Sequence, residues 1–257
     1  MEKSPEQIEL SKLQAKLTRR FHKACADYGL IADGDRILIG LSGGKDSLAL
    51  VEMLGKRAQI YKPRFSVTAV HVRVEERAYQ TDLSYLEQFC KEAKVPLMVR
   101  DVSLPPAPPY REGRKEREIK DPCFLCSWYR RKELFNVAQE LGCNKIALGH
   151  HRDDVAQTLL MNLIFQGSFA TIPPILKMEK MPLSLIRPLY LIDEADLTRF
   201  AELRGYQKPP KLCPFEHVTS REKAKGLLEQ IKQMNPETID SIYGAMTNIK
   251  AEYLPHL

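Results

Sequence analysis

The hydrophobic pattern changes repeatedly between two periods along the chain, and this alternation predicts strands and helices in turn. Short apolar runs typical of strands cover 36–40, 65–72, 96–100 and 145–149. Apolar residues at helical spacing span the following stretches: 6–28, 48–54, 83–94, 124–141, 154–165, 193–204, 221–234 and 236–250. Strands that alternate with helices are typical of a doubly wound, mainly parallel sheet. We therefore predict a Rossmann-like α/β fold with an N-terminal helix and a helical C-terminal extension.

The order of these elements predicts three regions: an N-terminal helix at 1–30, a nucleotide-binding sheet at 31–175, and a mainly helical region at 176–257. The sheet is expected to be complete after the helix at 154–165. A segment at 104–120 interrupts the alternation, because it is rich in proline and then in charges of both signs. Such a segment cannot be a core element. We interpret it as a solvated loop, with a substrate-contacting flap as the alternative.

A glycine-rich loop, Ser-Gly-Gly-Lys-Asp-Ser at 42–47, joins the first predicted strand to a helix. Adjacent glycines let backbone N–H groups turn towards an anion, and the helix N-terminus adds its positive dipole end. A Walker A loop would need glycine at Ile39 and serine or threonine at Asp46, so the spacing excludes it. A plain strand-to-helix turn is the structural alternative. The loop therefore predicts a nucleotide phosphate site of a different type.

A second polar motif, Gly-His-His-Arg-Asp-Asp at 149–154, follows the fourth predicted strand. Ligands of open α/β sheets bind at the carboxyl ends of the strands. The adjacent carboxylates Asp153 and Asp154 can bind Mg²⁺, while Arg152 and the histidines can meet phosphate charge. The alternative is a polar helix N-cap, where aspartate is favoured. The position at the sheet edge makes the motif a candidate partner of the glycine-rich loop.

The two motifs together resemble the signatures of the N-type ATP pyrophosphatases, the PP-loop superfamily, which split ATP into AMP and pyrophosphate. The resemblance implies that the first loop cradles pyrophosphate and that a carboxylate handles Mg²⁺. The implied nucleotide-binding residues are Ser42, Gly43, Gly44, Lys45, Asp46, Ser47, His71, Gly149, His150, Arg152 and Thr158. The implied catalytic residues are Lys45, Asp46, Asp153 and Asp154.

Three of the six cysteines form a candidate ligand set. Cys123 and Cys126 open a predicted helix, whose dipole stabilises thiolates, and Cys213 lies in a proline-flanked loop. A redox pair, a structural zinc site completed by His217, and a three-cysteine iron–sulfur cluster with one open iron all remain possible readings. The other cysteines lie in or beside predicted helices, and we interpret them as small buried apolar residues: Cys25, Cys90 and Cys143.

Nearly the whole chain resembles the tRNA 2-thiocytidine synthetase family, through 34–36, the cysteine pair, 149–159, 173–174 and 186–189. The resemblance implies a [4Fe–4S] cluster on Cys123, Cys126 and Cys213. It also implies adenylation of the C2 oxygen of an anticodon-loop cytidine in tRNA, position 32 in the family, and its replacement by sulfur. The expected sulfur donor is a cysteine desulfurase persulfide, and the expected assembly includes a homodimer. The chain departs from the family at 211–215, which lacks a Cys-Gly pair.

Other members of the superfamily provide the nearest alternatives. A tRNA thiouridine synthetase shares the motifs, whereas a lysidine synthetase needs no cysteine set. A non-catalytic iron–sulfur sensor that binds nucleotide or nucleic acid has little reason to keep both Lys45 and the paired aspartates. The cysteine pair and the phosphate loop together therefore favour a sulfur-transfer enzyme.

The charge balance fits an anionic partner such as tRNA, because the formal net charge is +6 and the pI is near 8.9. A segment of two aromatic and three basic residues at 128–132 is a candidate tRNA contact, with Trp128 in the core as the alternative. No apolar run is long enough to span a bilayer, and the N-terminus lacks the apolar core of a signal peptide. We therefore expect a soluble, cytoplasmic protein.

Overall fold

The computed structural model describes residues 4–75, 82–104, 122–208 and 220–253, with the backbone alone at 122–124 and 220. The helices are α1 Pro5–Asp27, α2 Lys45–Ala58, α3 Leu83–Glu92, α4 Pro122–Glu140, α5 Arg152–Gln166, α6 Glu194–Leu203, α7 Ser220–Met234 and α8 Thr238–Thr247. The strands are β1 Arg36–Gly40, β2 Ser66–Val74, β3 Leu97–Val102, β4 Lys145–Ala147, β5 Ile175–Lys177 and β6 Ser184–Ile186. Most of the segment predicted to be a loop at 104–120 lies outside the described residues, as do Cys213, His217 and the side chain of Cys123.

One sheet carries the fold, with its six strands in the order β3-β2-β1-β4-β6-β5. β1 pairs in parallel with β2 and with β4, so that Leu38 lies opposite Thr68 on one side and Ile146 on the other. β6 pairs in parallel with β4, and β5 runs antiparallel to β6. The predicted doubly wound, mainly parallel α/β fold is confirmed. The carboxyl ends of β1, β2 and β4 meet at the same edge of the sheet.

Continuous apolar strands are buried on both faces of this sheet, as parallel sheets require. Ile37 and Ile39 of β1 join a core beneath α1, α2, α3 and α6, whereas Leu38 points into a second core beneath α4. Alternation of side chains between the two faces explains this division. Helices on both faces therefore hold the central strands in place.

The three cysteines that we interpreted as buried apolar residues pack against these two cores. Cys25 and Cys90 contact the larger core and Cys143 the smaller one. Burial raises the pKa of the Cys25 thiol to about 12 and that of Cys90 to about 11. Such thiols stay protonated near neutral pH, which disfavours metal binding.

A buried ion pair fixes the amino edge of the sheet, opposite the carboxyl edge. Lys145 Nζ lies 2.6 Å from Asp35 Oδ2 and donates to Leu30 O at 2.9 Å. The other oxygen of Asp35 accepts from Asn144 Nδ2 at 2.8 Å. These bonds tie the start of β4 to the segment before β1.

The C-terminal third differs from the expectation in one respect, because it contributes two strands. The expectation that the sheet is complete at residue 165 is wrong, since β6 pairs with β4. β5 and β6 have three residues each, which is too short for a detectable period of two. The domain limits at 30 and 175 stay a prediction. Within the described ranges, no helix is long and apolar enough to cross a membrane.

Candidate active site

The phosphate loop, which is the glycine-rich loop at 42–47, lies against the polar motif at 149–154 at the carboxyl edge of the sheet. A Cβ atom added to Gly149 would lie 3.2 Å from both Asp46 C and Ser47 N, in the first turn of α2. Only glycine lets the loop after β4 approach the phosphate loop this closely. The predicted partnership of the two motifs is therefore present as a backbone contact.

Two serines hold the phosphate loop in a defined shape. Ser47 Oγ donates to Gly44 O at 2.8 Å and accepts from Ser42 N at 3.2 Å, while Ser42 Oγ accepts from Gly44 N at 3.3 Å. Gly43 has a φ of 86°, in the left-handed region that favours glycine. No side chain among the described residues caps α2, whose N-cap is Gly44. The first-turn N–H groups are therefore suited to an anion.

Lys45 supplies a cation beside this loop. Its Nζ lies 3.0 Å from Asp46 Oδ1 and 3.5 Å from Glu194 Oε1. Burial alone would lower the pKa of Lys45, but Asp46 and Glu194 outweigh it and raise the pKa above the usual value. Lys45 is therefore protonated at neutral pH and can exchange these carboxylates for phosphate oxygens.

Glu194, which the sequence analysis did not identify, connects the two motifs through α6. Its backbone N–H donates to Asp153 Oδ2 at 2.7 Å, and its carboxylate lies 2.9 Å from Lys225 Nζ. Burial would raise the pKa of Glu194, but Lys225 and Lys45 lower it overall. The carboxylate is therefore charged and links Lys45 to α7.

Both aspartates of the second motif have cationic partners from α7. The buried Asp153 accepts from Lys232 Nζ at 2.9 Å, and Asp154 accepts from Arg221 Nη2 at 2.9 Å. Burial would raise the pKa of Asp153, yet Lys232 and the Glu194 N–H lower it below the usual range. Asp154 also accepts from the backbone N–H of His151 in the capping box of α5. The motif therefore does cap the helix, as the alternative interpretation predicted, but the N-cap residue is His151.

The other polar residues of the 149–154 motif have different surroundings. Arg152 contacts Asp240, donates to Asp193 at 3.1 Å and lies 4.7 Å from the ring centroid of Tyr243. These contacts brace α5 against α6 and α8, and a phosphate contact of Arg152 stays a prediction. Burial lowers the pKa of His150 to about 4, so this ring is neutral at pH 7 and offers hydrogen bonds rather than charge. Thr158, also predicted, lies half-buried on α5.

A pocket of about 180 Å³ opens beside the phosphate loop. Its walls are Gly40, Leu41, Ser42, Val70, His71, Val72, Arg130, Leu134 and Leu148. His71 Nδ1 lies 2.8 Å from Leu41 O, and burial lowers the pKa of His71, so the neutral ring donates this bond. Mostly apolar walls with a few polar atoms suit the nucleoside part of a nucleotide.

Helix α4 forms one wall of this pocket and also carries the cysteine pair. Arg130 and Leu134 line the pocket, and Cys126 lies one turn before Arg130 on the same helix face. Cys126 is a half-buried free thiol. The structure therefore brings a cysteine of the predicted ligand set to the helix face that lines this pocket.

Comparison with known proteins identifies the family of this chain. A family model described as a PP-loop domain matches residues 12–207, which is most of the chain. The chain belongs to the PP-loop family. Its relatives in that family include the tRNA-cytidine(32) 2-sulfurtransferases of Pectobacterium atrosepticum, 36% identical, and Paraburkholderia phymatum, 34% identical. Both alignments cover 97% of this chain, and they cover 78% and 73% of the two relatives.

A solved structure is similar to this chain over almost its whole length. It is the U34-tRNA thiolase NcsA from Methanococcus maripaludis with its [4Fe-4S] cluster, with a TM-score of 0.72 and 25% identity. The similarity covers 96% of this chain and 81% of that chain. The overall fold of this chain is thus similar to that of a solved tRNA thiolase.

The ligand set of the predicted cluster is only partly described in this PP-loop protein. Cys126 is the member whose side chain is described, whereas Cys213 and the side chain of Cys123 are not. No group of three or more potential metal ligands occurs within the described ranges. Metal binding by the three cysteines therefore stays a prediction.

Proposed function

We propose that the protein is an ATP-dependent tRNA sulfurtransferase that converts a cytidine at position 32 of tRNA to 2-thiocytidine. One observation carries the proposal: the phosphate loop at 42–47 contacts the carboxylate motif at Gly149, and Ser42 of that loop lines the same pocket as Arg130 on the helix of Cys126. The relatives at 34–36% identity are named for this substrate and this reaction, which supports the proposal. We expect the protein to act in the cytoplasm.

The proposed chemistry solves a leaving-group problem. The C2 oxygen of cytidine attacks the α-phosphorus of ATP, an oxygen–phosphorus bond forms, and pyrophosphate leaves with the electron pair of the broken bond. A sulfur nucleophile then attacks C2, the carbon–oxygen bond breaks, and AMP leaves. Lys45 and the first-turn amides of α2 hold the pyrophosphate charge as it develops. The persulfide of a cysteine desulfurase is the proposed source of sulfur, and an external thiol reductant supplies the two electrons that bring its outer sulfur to the sulfide level.

Mg²⁺ is the proposed partner of the triphosphate. Asp46, Asp153 and Asp154 are the candidate ligands, and each has a cationic side chain in contact with its carboxylate. An ion that binds one of them must therefore replace or share that contact. Asp46 has the most exposed carboxylate of the three. Its partner Lys45 is expected to turn to phosphate, which would leave the Asp46 carboxylate accessible to Mg²⁺.

We assign a [4Fe–4S] cluster to Cys123, Cys126 and Cys213. The described member fits, because Cys126 is a half-buried free thiol near the N-terminus of α4. When bound, a cluster on three cysteines leaves one iron open for a sulfur ligand. The similar thiolase from Methanococcus maripaludis, which was solved with its [4Fe-4S] cluster, supports the assignment. A homodimer remains a prediction.

Mass spectrometry of tRNA nucleosides tests the function. Anaerobic enzyme, ATP, Mg²⁺, a sulfide source and transcript tRNA should yield 2-thiocytidine and AMP in equal amounts. A matched transcript with uridine at position 32 should yield neither. A thiolated uridine elsewhere in the tRNA would favour a second candidate, a thiouridine synthetase, which the solved thiolase supports. No thiolated nucleoside with an iron-loaded enzyme would contradict both.

A pair of cysteine variants tests the cluster separately. Cys126→Ser should lose iron, inorganic sulfide and the brown absorbance, whereas Cys143→Ser, whose thiol packs against the core, should keep them. Equal iron content in the two variants would contradict the assignment. Stoichiometric zinc in place of iron in the anaerobic wild type would do so as well.

A further inference from the structure

Helix α4 has a second functional face, opposite the pocket. Cys126, Arg130 and Leu134 share one face at a spacing of four residues. Trp128 follows Cys126 by two residues and therefore lies on the far side of the helix, with Lys132 one turn later. Trp128 is the single tryptophan of the chain.

The indole of Trp128 is exposed and accompanied by cations. The residue is 47% exposed, so the alternative that placed it in the core is wrong. Lys132 Nζ lies 5.5 Å from the indole centroid, and Tyr129 meets the ring edge to face at 4.9 Å. Arg131 is exposed beside them. Tyr129 and Lys132 therefore limit how far the indole can move while leaving part of its surface open.

We propose that Trp128, with Lys132 and Arg131, is a stacking platform for an unpaired base of the tRNA loop that enters the active site. This inference rests on the proposed function and deepens it. An aromatic face beside cations binds single-stranded RNA, because the ring stacks on a base while the cations meet the flanking phosphates. The bases of a duplex are stacked on one another and cannot reach the indole.

The position of the platform specifies which base it holds. A helix with its side chains is about 10–12 Å across, so the indole and the pocket are separated by roughly that distance. The stacked base is therefore a neighbour of the reacting base, and not the reacting base itself. Holding the neighbour would keep the loop open while the target base turns into the pocket.

Tyr61 and Arg64 provide a matched control at the amino edge of the sheet. Tyr61 is 67% exposed and has the guanidinium of Arg64 4.3 Å above its ring. This pair lies between the end of α2 and the start of β2, which is the amino edge of the sheet. It has the same chemistry as the platform but is remote from the pocket.

Tryptophan fluorescence tests the platform directly in the full-length wild-type protein. Because Trp128 is the single tryptophan, titration with transcript tRNA or with a single-stranded oligonucleotide should quench its emission. Duplex RNA of equal length should leave the emission nearly unchanged. Unchanged emission at saturating tRNA would overturn the proposal, whatever the outcome of the thiolation assay.

Variants provide the second readout. Trp128→Ala should raise the Kd for tRNA by roughly 5- to 150-fold, the range expected for one stacked base. Trp128→Phe should retain most of the affinity, and Tyr61→Ala should bind as wild type. Equal affinity of Trp128→Ala and Tyr61→Ala would overturn the platform. Wild-type thiolation measured in parallel distinguishes that result from a failure of the proposed function.

Discussion

The contact between Gly149 and the phosphate loop leads to a quantitative prediction for Gly149→Ala. The added methyl group would lie 3.2 Å from two backbone atoms of the first turn of α2 and 3.3 Å from Asp46 O. Ordinary van der Waals contacts begin at about 3.4 Å, so α2 or the loop after β4 must move by a few tenths of an ångström. Because the neighbours are backbone atoms, no side-chain rotation can relieve the overlap.

Such overpacking typically costs about 1–3 kcal/mol. For a chain of this size, each kcal/mol lowers Tm by roughly 2–4 °C, so Gly149→Ala should melt about 2–12 °C below wild type. The displacement also moves the phosphate loop relative to Asp153. The yield of AMP should therefore fall more than the folded fraction does, because misplacement of reacting groups is costly.

Gly244→Ala in α8 is the matched control, because nothing lies within 4 Å of its added methyl group. The same chemical change there should stabilise the protein by up to about 1 kcal/mol, since alanine favours a helix. Thermal unfolding and AMP release should be measured on both variants. A Gly149→Ala protein with wild-type Tm and wild-type AMP release would refute the reasoning that the two motifs are in fixed contact.

Three further predictions follow from the charged groups. Lys45→Ala should abolish AMP formation while circular dichroism and iron content stay unchanged, because the cation that meets the phosphates is gone. Lys232→Met removes the partner that keeps the pKa of Asp153 low, so burial should raise that pKa. In wild type this carboxylate adds stability that is fully present above its unfolded pKa and is lost as pH falls through the lower folded pKa. Urea unfolding from about pH 6 to about pH 3 should therefore show that Lys232→Met loses stability at higher pH. Lys145→Ala leaves Asp35 buried without its ion-pair partner and should cost about 3–5 kcal/mol in unfolding free energy.

Controls separate these effects from general damage. Lys223→Met changes an exposed lysine of the same helix as Lys232, and should retain the wild-type pH profile. Equal acid sensitivity of the two variants would contradict the assigned role of Lys232. For Lys145→Ala, AMP formation per folded molecule should remain that of wild type, because the ion pair lies at the amino edge of the sheet. A selective loss of activity would show that the two edges are coupled.

The fold was predictable wherever a pattern extends over several residues. The apolar run of β1 and the helical period of α2 predict their elements, and the glycines between them predict the turn that joins them. β5 and β6 could not be predicted, because three residues have no measurable period. Their strand form depends on hydrogen bonds to β4, which is distant in sequence.

The site was predictable where its residues form contiguous motifs and not where it depends on long-range contacts. The PP-loop and the 149–154 motif are visible as strings of residues. Glu194 and the cations of α7 look in sequence like an ordinary solvated helix face. Their function is defined only when α6 and α7 fold back onto α5. The exposure of Trp128 could not be predicted either. A helix that buries an aromatic residue on a second apolar face and a helix that exposes it to solvent have similar sequence patterns.

The C-terminal helices complete the charge balance of the site. The matched PP-loop region ends at residue 207, yet Asp153 and Asp154 meet Lys232 and Arg221 beyond it. Burial would raise the pKa of Asp153, and its contact with Lys232 is the largest of the contacts that lower it. α7 therefore helps to keep the Asp153 carboxylate charged, and the region after residue 207 contributes directly to the electrostatics of the site.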